Sequence, residues 1–303
     1  MFFRHTLALG VVAAGLMHSS GAWAQSCCAG GSALTPGRLT VHEDVLVGLQ
    51  LRAQSAVGEF SADGSFRGTP RGAIESGFEE SALASLRVFR PMQVSLVVPF
   101  VETYRRTSTT SEFGGGLGDL NLSARYDLVL AGKYTYVPGV AMLGGASLPS
   151  GTSVAGAEKP LATDATGIGA VQVHAGVAIE QVWGHWMLNL AAILSIRAPE
   201  TVSGIHSQLG PQLSSFLGVG YTFDNEAALA ASLGYTFEMR AEVNGETIPG
   251  TARRAPQFGI SGLFPLGDHM RLSGGPTVHV PFLPGANQTT FVAFSLTWVR
   301  TWT

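Results

Sequence analysis

The sequence predicts an all-β fold, an antiparallel transmembrane β-barrel of about 12 strands with short periplasmic turns and long extracellular loops. Three observations carry that prediction. Apolar and polar residues alternate with a period of 2 through most of the chain. Tight turn sequences alternate with long polar spacers. Only 13% of the 303 residues are charged, against roughly 25% in soluble domains, while the hydrophobic fraction is an ordinary 46%. A chain this poor in charge cannot coat a soluble particle of its size in the usual way.

The same counts exclude other classes. Of 18 basic residues only Lys133 and Lys159 are lysines, the net charge is -3, and no Lys/Arg run occurs. The phosphate attraction on which nucleic-acid binding rests is therefore missing, and no nucleic acid is expected as a partner. Aromatic and branched apolar residues recur throughout, which argues against disorder.

The first element is an export signal over residues 1–24: Arg4 and His5, an apolar run from Leu7 to Met17, and the small-residue site Ala22-Trp23-Ala24. Cleavage there leaves Gln25 first, a tail over 25–41 on the periplasmic side, and a barrel over 42–303. A lipoprotein signal ending at Cys27 is the alternative, with Ala24-Gln25-Ser26 as its weak recognition sequence. Beyond the signal there is no run of 18 apolar residues. A closed barrel is then the remaining way to satisfy every backbone group within lipid, and the outer membrane, with its lipid, is the expected surround.

Strands are expected near 42–58, 78–89, 92–105, 118–128, 134–148, 167–183, 186–197, 212–223, 227–241, 256–266, 270–282 and 290–302. The cleanest places Leu120, Leu122, Ala124, Tyr126 and Leu128 on one face and Asp119, Asn121, Ser123, Arg125 and Asp127 on the other. The Leu/Ala-rich run from Trp186 to Ala198 reads equally as a helix when taken alone. Arg90-Pro91, Gly184-His185, Asp224-Asn225-Glu226 and Gly267-Asp268-His269 are tight turns. The long spacers are 61–77, 106–117, 149–166, 198–211 and 242–255. Trp183, Trp186, Trp298 and Trp302 all fall at strand ends on the short-turn side, as an interfacial aromatic belt requires. Phe78, Phe100, Tyr104, Phe237, Phe282 and Phe291 are expected to form the opposite girdle. The competing fold is a soluble β-sandwich, which needs charged outer faces that this chain does not provide.

The segment from Gly114 to Tyr126, Gly-Gly-Gly-Leu-Gly-Asp-Leu-Asn-Leu-Ser-Ala-Arg-Tyr, resembles the Gly-Leu-Gly-Asp segment of bacterial outer-membrane proteins. Those proteins are labelled transporters of the meta-pathway of phenol degradation. The resemblance covers about 25 residues, and the strand layout agrees over the remainder. It implies transport of small, aromatic or otherwise hydrophobic molecules. The chain departs from the usual aromatic last residue of such barrels, since Thr303 follows Trp302.

If apolar residues face lipid, the other face lines a lumen. The lining candidates are Arg52, Arg87, Asp119, Arg125, His174, Glu180, Arg197, Glu238, Arg271 and His279, together with Gln50, Gln54, Asn121, Gln172 and Asn189. They either form a polar pathway for a small-molecule solute or pair with one another and close it; twelve strands allow both. Asp119 has two readings, a lumen charge or a cap on the turn after the glycines. Cys27-Cys28 either ligates a soft metal such as Cu(I) or forms a disulfide. No cofactor is expected. No enzyme is expected either, because His174, His206, His269 and His279 are scattered and no His-x-Ser triplet follows the signal. The alternatives to a channel are a structural or adhesive barrel, with loop 149–166 as its contact surface, and an outer-membrane hydrolase.

Overall fold

A computed structural model describes residues 38–202, 205–279, 283 and 285–303. The signal, most of the tail, Cys27-Cys28 and Phe282 fall outside the described residues. Twelve antiparallel strands form the wall: β1 (Val45–Phe60), β2 (Ile74–Phe89), β3 (Met92–Arg106), β4 (Leu120–Val129), β5 (Gly139–Leu148) and β6 (Gln172–Trp183). They continue as β7 (Trp186–Arg197), β8 (Gln212–Thr222), β9 (Ala228–Glu238), β10 (Arg253–Pro265), β11 (Met270–His279) and β12 (Gln288–Trp302). Each strand pairs with its sequence neighbour, and β12 returns to β1 from Val45↔Trp302 to Phe60↔Gln288, so the sheet is closed. Closure removes the open edge that lipid cannot satisfy.

Burial is inverted relative to a soluble protein. Outward residues such as Leu49, Leu86, Leu122, Leu190 and Leu213 are exposed, while Ser81, Gln93, Arg125, Glu180, Asn189 and Thr297 are buried inside. The period of 2 sorts the two sets, because successive strand side chains point to opposite faces. This resolves Trp186–Arg197 as a strand: Trp186, Leu190 and Leu194 are exposed while Met187, Asn189 and Ser195 are buried. Trp183, Trp186, Trp298 and Trp302 all lie on the exposed outer face. Phe291 does not join a girdle; its ring packs edge-on against His279, 6.0 Å between centroids.

The short turns are as expected, with Gly184 and Gly267 at φ of +55° and +91°, where a side chain would be strained. Three differences stand out, two on the long-loop side and one, before β5, on the short-turn side. Ser111–Leu117, read as a loop, is a strand that extends β4 beyond a break at Gly118-Asp119 and pairs with the upper part of β3. Residues 134–138 precede β5 as part of a longer turn. Short strands within spacers 198–211 and 242–255, Glu200–Val202, Ile205–Gln208, Glu242–Val243 and Glu246–Thr247, pair into a four-stranded ribbon. None of these short segments shows a full alternation, so periodicity could not mark them.

Candidate functional site

The lumen is divided into a floor, a chamber and a roof. The floor is built around residues 38–44, which enter the barrel from the β1 end. Arg38 Nη1 lies 2.6 Å from Glu180 Oε1, and Arg125 Nη2 lies 3.1 Å from Glu180 Oε2 and 2.8 Å from Asp127 Oδ1. Asn189 Nδ2 donates to Glu180 Oε1 at 3.3 Å. The Leu39 backbone N–H donates to Gln93 Oε1 at 3.1 Å, and the Leu39 side chain is buried. Arg87 donates through Nε to the Glu43 carbonyl at 2.9 Å and through Nη2 to the Thr40 carbonyl. Arg271 pairs with Glu43 at 3.0 Å. Glu180 is 1% exposed, so its charge is tolerable only because two guanidiniums share it.

Above the floor lies a chamber of about 520 Å³. Its wall is mixed but mostly hydroxyl and amide, with Ser81, Ser123, Ser195, Ser214, Gln50, Asn121, Gln172 and Gln257 beside the apolar Val97, Ile193, Phe216 and Ile260. Arg52 and Glu79 are the charged residues of its lining, facing each other across the β1–β2 pair. His174 reaches it from β6, and Gly145 makes its room: a side chain there would meet His174 Nε2 at 2.4 Å.

The roof is a second charged layer. Arg197 Nε donates to Gln172 Oε1 at 2.8 Å, Nη2 donates to Gln212, and Nη1 lies 3.0 Å from Glu238 Oε2. Arg253 donates through Nε to Gln288. Over one side of the mouth folds loop 149–168, held by groups on the lumen side of β3 and the β4 extension. Glu112 accepts from Leu161 N at 2.9 Å and from Thr163 Oγ1 at 3.1 Å, and Arg105 donates to the Leu161 carbonyl at 2.7 Å. Gly114 permits this approach, since a side chain there would come within 2.6 Å of Thr163 backbone. Within the loop, the Glu158 backbone N–H donates to Asp164 and holds its carboxyl below the usual carboxylate range.

The expected lining residues are therefore placed as follows. Arg87, Arg125, Glu180 and Arg271 meet in the floor, Arg52 and His174 in the chamber, and Arg197 and Glu238 in the roof. His279 packs beside Phe291 and takes a contact from the Thr289 carbonyl at 3.2 Å. Asp119 stands apart: it accepts from Gly151 N at 3.1 Å and Ile168 N at 2.6 Å, which ties the loop to the break in β4. These contacts are with the loop and not with the turn after the glycines. Loop 149–166 is thereby folded onto the mouth, with Thr163 fully buried. Glu79, Glu112, Arg253, Arg38 and Glu43 were missed. Glu79 was legible, eight positions from Arg87 on one alternating strand. No group of three or more His, Cys, Asp or Glu that could hold a metal occurs among the described residues.

No family model matches the chain, and no curated protein matches it. Among solved structures, an outer membrane channel from Pseudomonas putida F1 is similar with a TM-score of 0.72 at 13% identity, over 87% of this chain and 97% of that one. The translocator domain of the autotransporter NalP from Neisseria meningitidis has a TM-score of 0.47 at 9% identity, over 98% and 95%. The CymD monoaromatic hydrocarbon channel has 0.45 at 10%, over 92% and 94%. The likeness to the first is one of fold. With the apolar outer wall, it makes this chain a β-barrel of the bacterial outer membrane. The resemblance read from residues 114–126 holds at that level, and the phenol-degradation label does not follow from it.

Proposed function

We propose that the barrel is an outer-membrane channel for small molecules that can form hydrogen bonds, closed at rest by its floor. The observation that carries this reading is the chamber, a space of about 520 Å³ lined mostly by hydroxyls and amides between two charged layers. Ligand sites of ~300–1,000 Å³ hold small organic molecules. A bare hydrocarbon would desolvate that wall without replacing its hydrogen bonds, which is unfavourable. An aromatic solute suits the chamber when it carries polar substituents. Opening requires residues 38–44 to leave the floor.

The refolded protein in a planar bilayer tests this directly. Removal of residues 25–41 takes away Arg38, Leu39 and Thr40, and steady conductance is expected where the full chain is closed or flickering. The closed floor itself favours a second reading, a structural barrel, which silence in both forms would select.

A further inference from the structure

Resting on the channel reading, we propose that the chamber is a binding site for a small organic carboxylate, with the Arg52 guanidinium as its anchor and the His174 wall as the partner for the other end of the ligand. Arg52 differs from the guanidiniums around it. Arg38, Arg87, Arg125, Arg197 and Arg271 all have carboxylate partners within 4.0 Å. Arg52 faces the chamber from the middle of β1 and makes no hydrogen bond or ion pair among the described residues.

A guanidinium carries five donors in a planar fork that matches a carboxylate, and withdrawing it from water without a partner is costly. The nearest carboxylate by register is Glu79, opposite Arg52 on β2. Glu79 Oε1 instead accepts from Ser81 Oγ at 2.9 Å. The fork is thus left pointing into a solvent-sized space, where either water or an anion can occupy it. A carboxylate gives two parallel charge-assisted hydrogen bonds that water does not match.

The opposite wall is fitted to the other end of such a ligand. His174 lies five strands around the barrel from Arg52, seated over Gly145, and its imidazole also has no hydrogen-bond partner among the described residues. It lines both the chamber and a small pocket directly above the Arg125 layer. A ligand held by Arg52 at one end and offering a hydroxyl at the other would satisfy both unpartnered groups. Glu79 repels the bound anion and keeps retention weak, which suits a site that must release its solute.

Isothermal titration of the full chain, folded in detergent micelles, tests the site with 4-hydroxybenzoate and its neutral counterpart 4-hydroxybenzamide. The acid is expected to bind at least tenfold more tightly than the amide. R52Q should abolish that preference, R52K should keep part of it, and E79Q should tighten acid binding several-fold. H174A should weaken acid and amide alike. Retained fold is checked for each variant by heat-dependent gel migration. Equal affinities of acid and amide, no binding of either, or an acid preference that survives R52Q would overturn the site. The parent reading is judged separately by flux into vesicles. Binding with the expected pattern but no flux supports the site and sinks the channel; flux without acid preference does the reverse.

Discussion

The floor and the chamber of this lumen are drawn from the same residue types and lie on adjacent stretches of the same strands, yet they behave as opposites. In the floor every guanidinium meets a carboxylate, and Glu180 serves Arg38 and Arg125 together. In the chamber Arg52 and His174 make no hydrogen bond or ion pair among the described residues, because Glu79, the carboxylate opposite Arg52, accepts from Ser81 and most of the wall is hydroxyl and amide. The difference teaches that closure here is made by pairing, not by bulk. A lumen whose charges are satisfied internally has no use for water or solute, whereas one with free donors retains both.

The sharpest way to break the contrast is to unpair the floor. Glu180→Ala leaves Arg38 and Arg125 buried without a shared counter-charge. A loss of about 3–5 kcal/mol is expected in urea unfolding from micelles, together with faster proteolysis at residues 38–44. Glu180→Gln keeps the shape and should fall between that variant and wild type. Next in size is Arg197→Ala in the roof, which strips Glu238 of its near guanidinium and Gln172 of a donor. It should cost about 3 kcal/mol, since a buried pair is broken from one side. Conductance of this variant should stay closed or flickering, because the floor around Arg38 and Glu180 is untouched.

Asp119→Ala acts on the loop and not on the lumen charges. It removes the acceptor of Gly151 N and Ile168 N, a loss of about 1–3 kcal/mol confined to that region. Hydrogen exchange across 149–168 should accelerate while the floor amides keep their rates. Smallest of all is His174→Ala, expected to change stability by no more than about 0.5 kcal/mol, because the side chain has no partner to abandon. A larger loss in its urea midpoint would show a hidden partner and weaken the contrast between chamber and floor.

Particular residues show how far the sequence carries. Alternation put Arg125, Glu180, Arg197 and Glu238 on the inner face, because a period of 2 is a local property that side-chain direction obeys. It could not tell a pairing charge from a free one, since Arg38 and Glu180 are separated by 142 positions and meet only in the closed barrel. Ser111–Leu117 escaped notice because three glycines erase the apolar signal on the face they occupy. Of the three, Gly114 is required by the approach of Thr163, a contact that no local pattern announces. Asp119 reads as a lumen charge or a cap on its own turn, whereas its partners, Gly151 and Ile168, lie 32 and 49 positions away.

Single-channel conductance of the refolded full chain, compared with the chain lacking residues 25–41 in the same bilayer, tests the pairing account most directly. The account predicts a closed or briefly flickering full chain and a steady conductance once Arg38 can no longer engage Glu180. Equal silence from both would contradict it, and so would an equal, steady current from both.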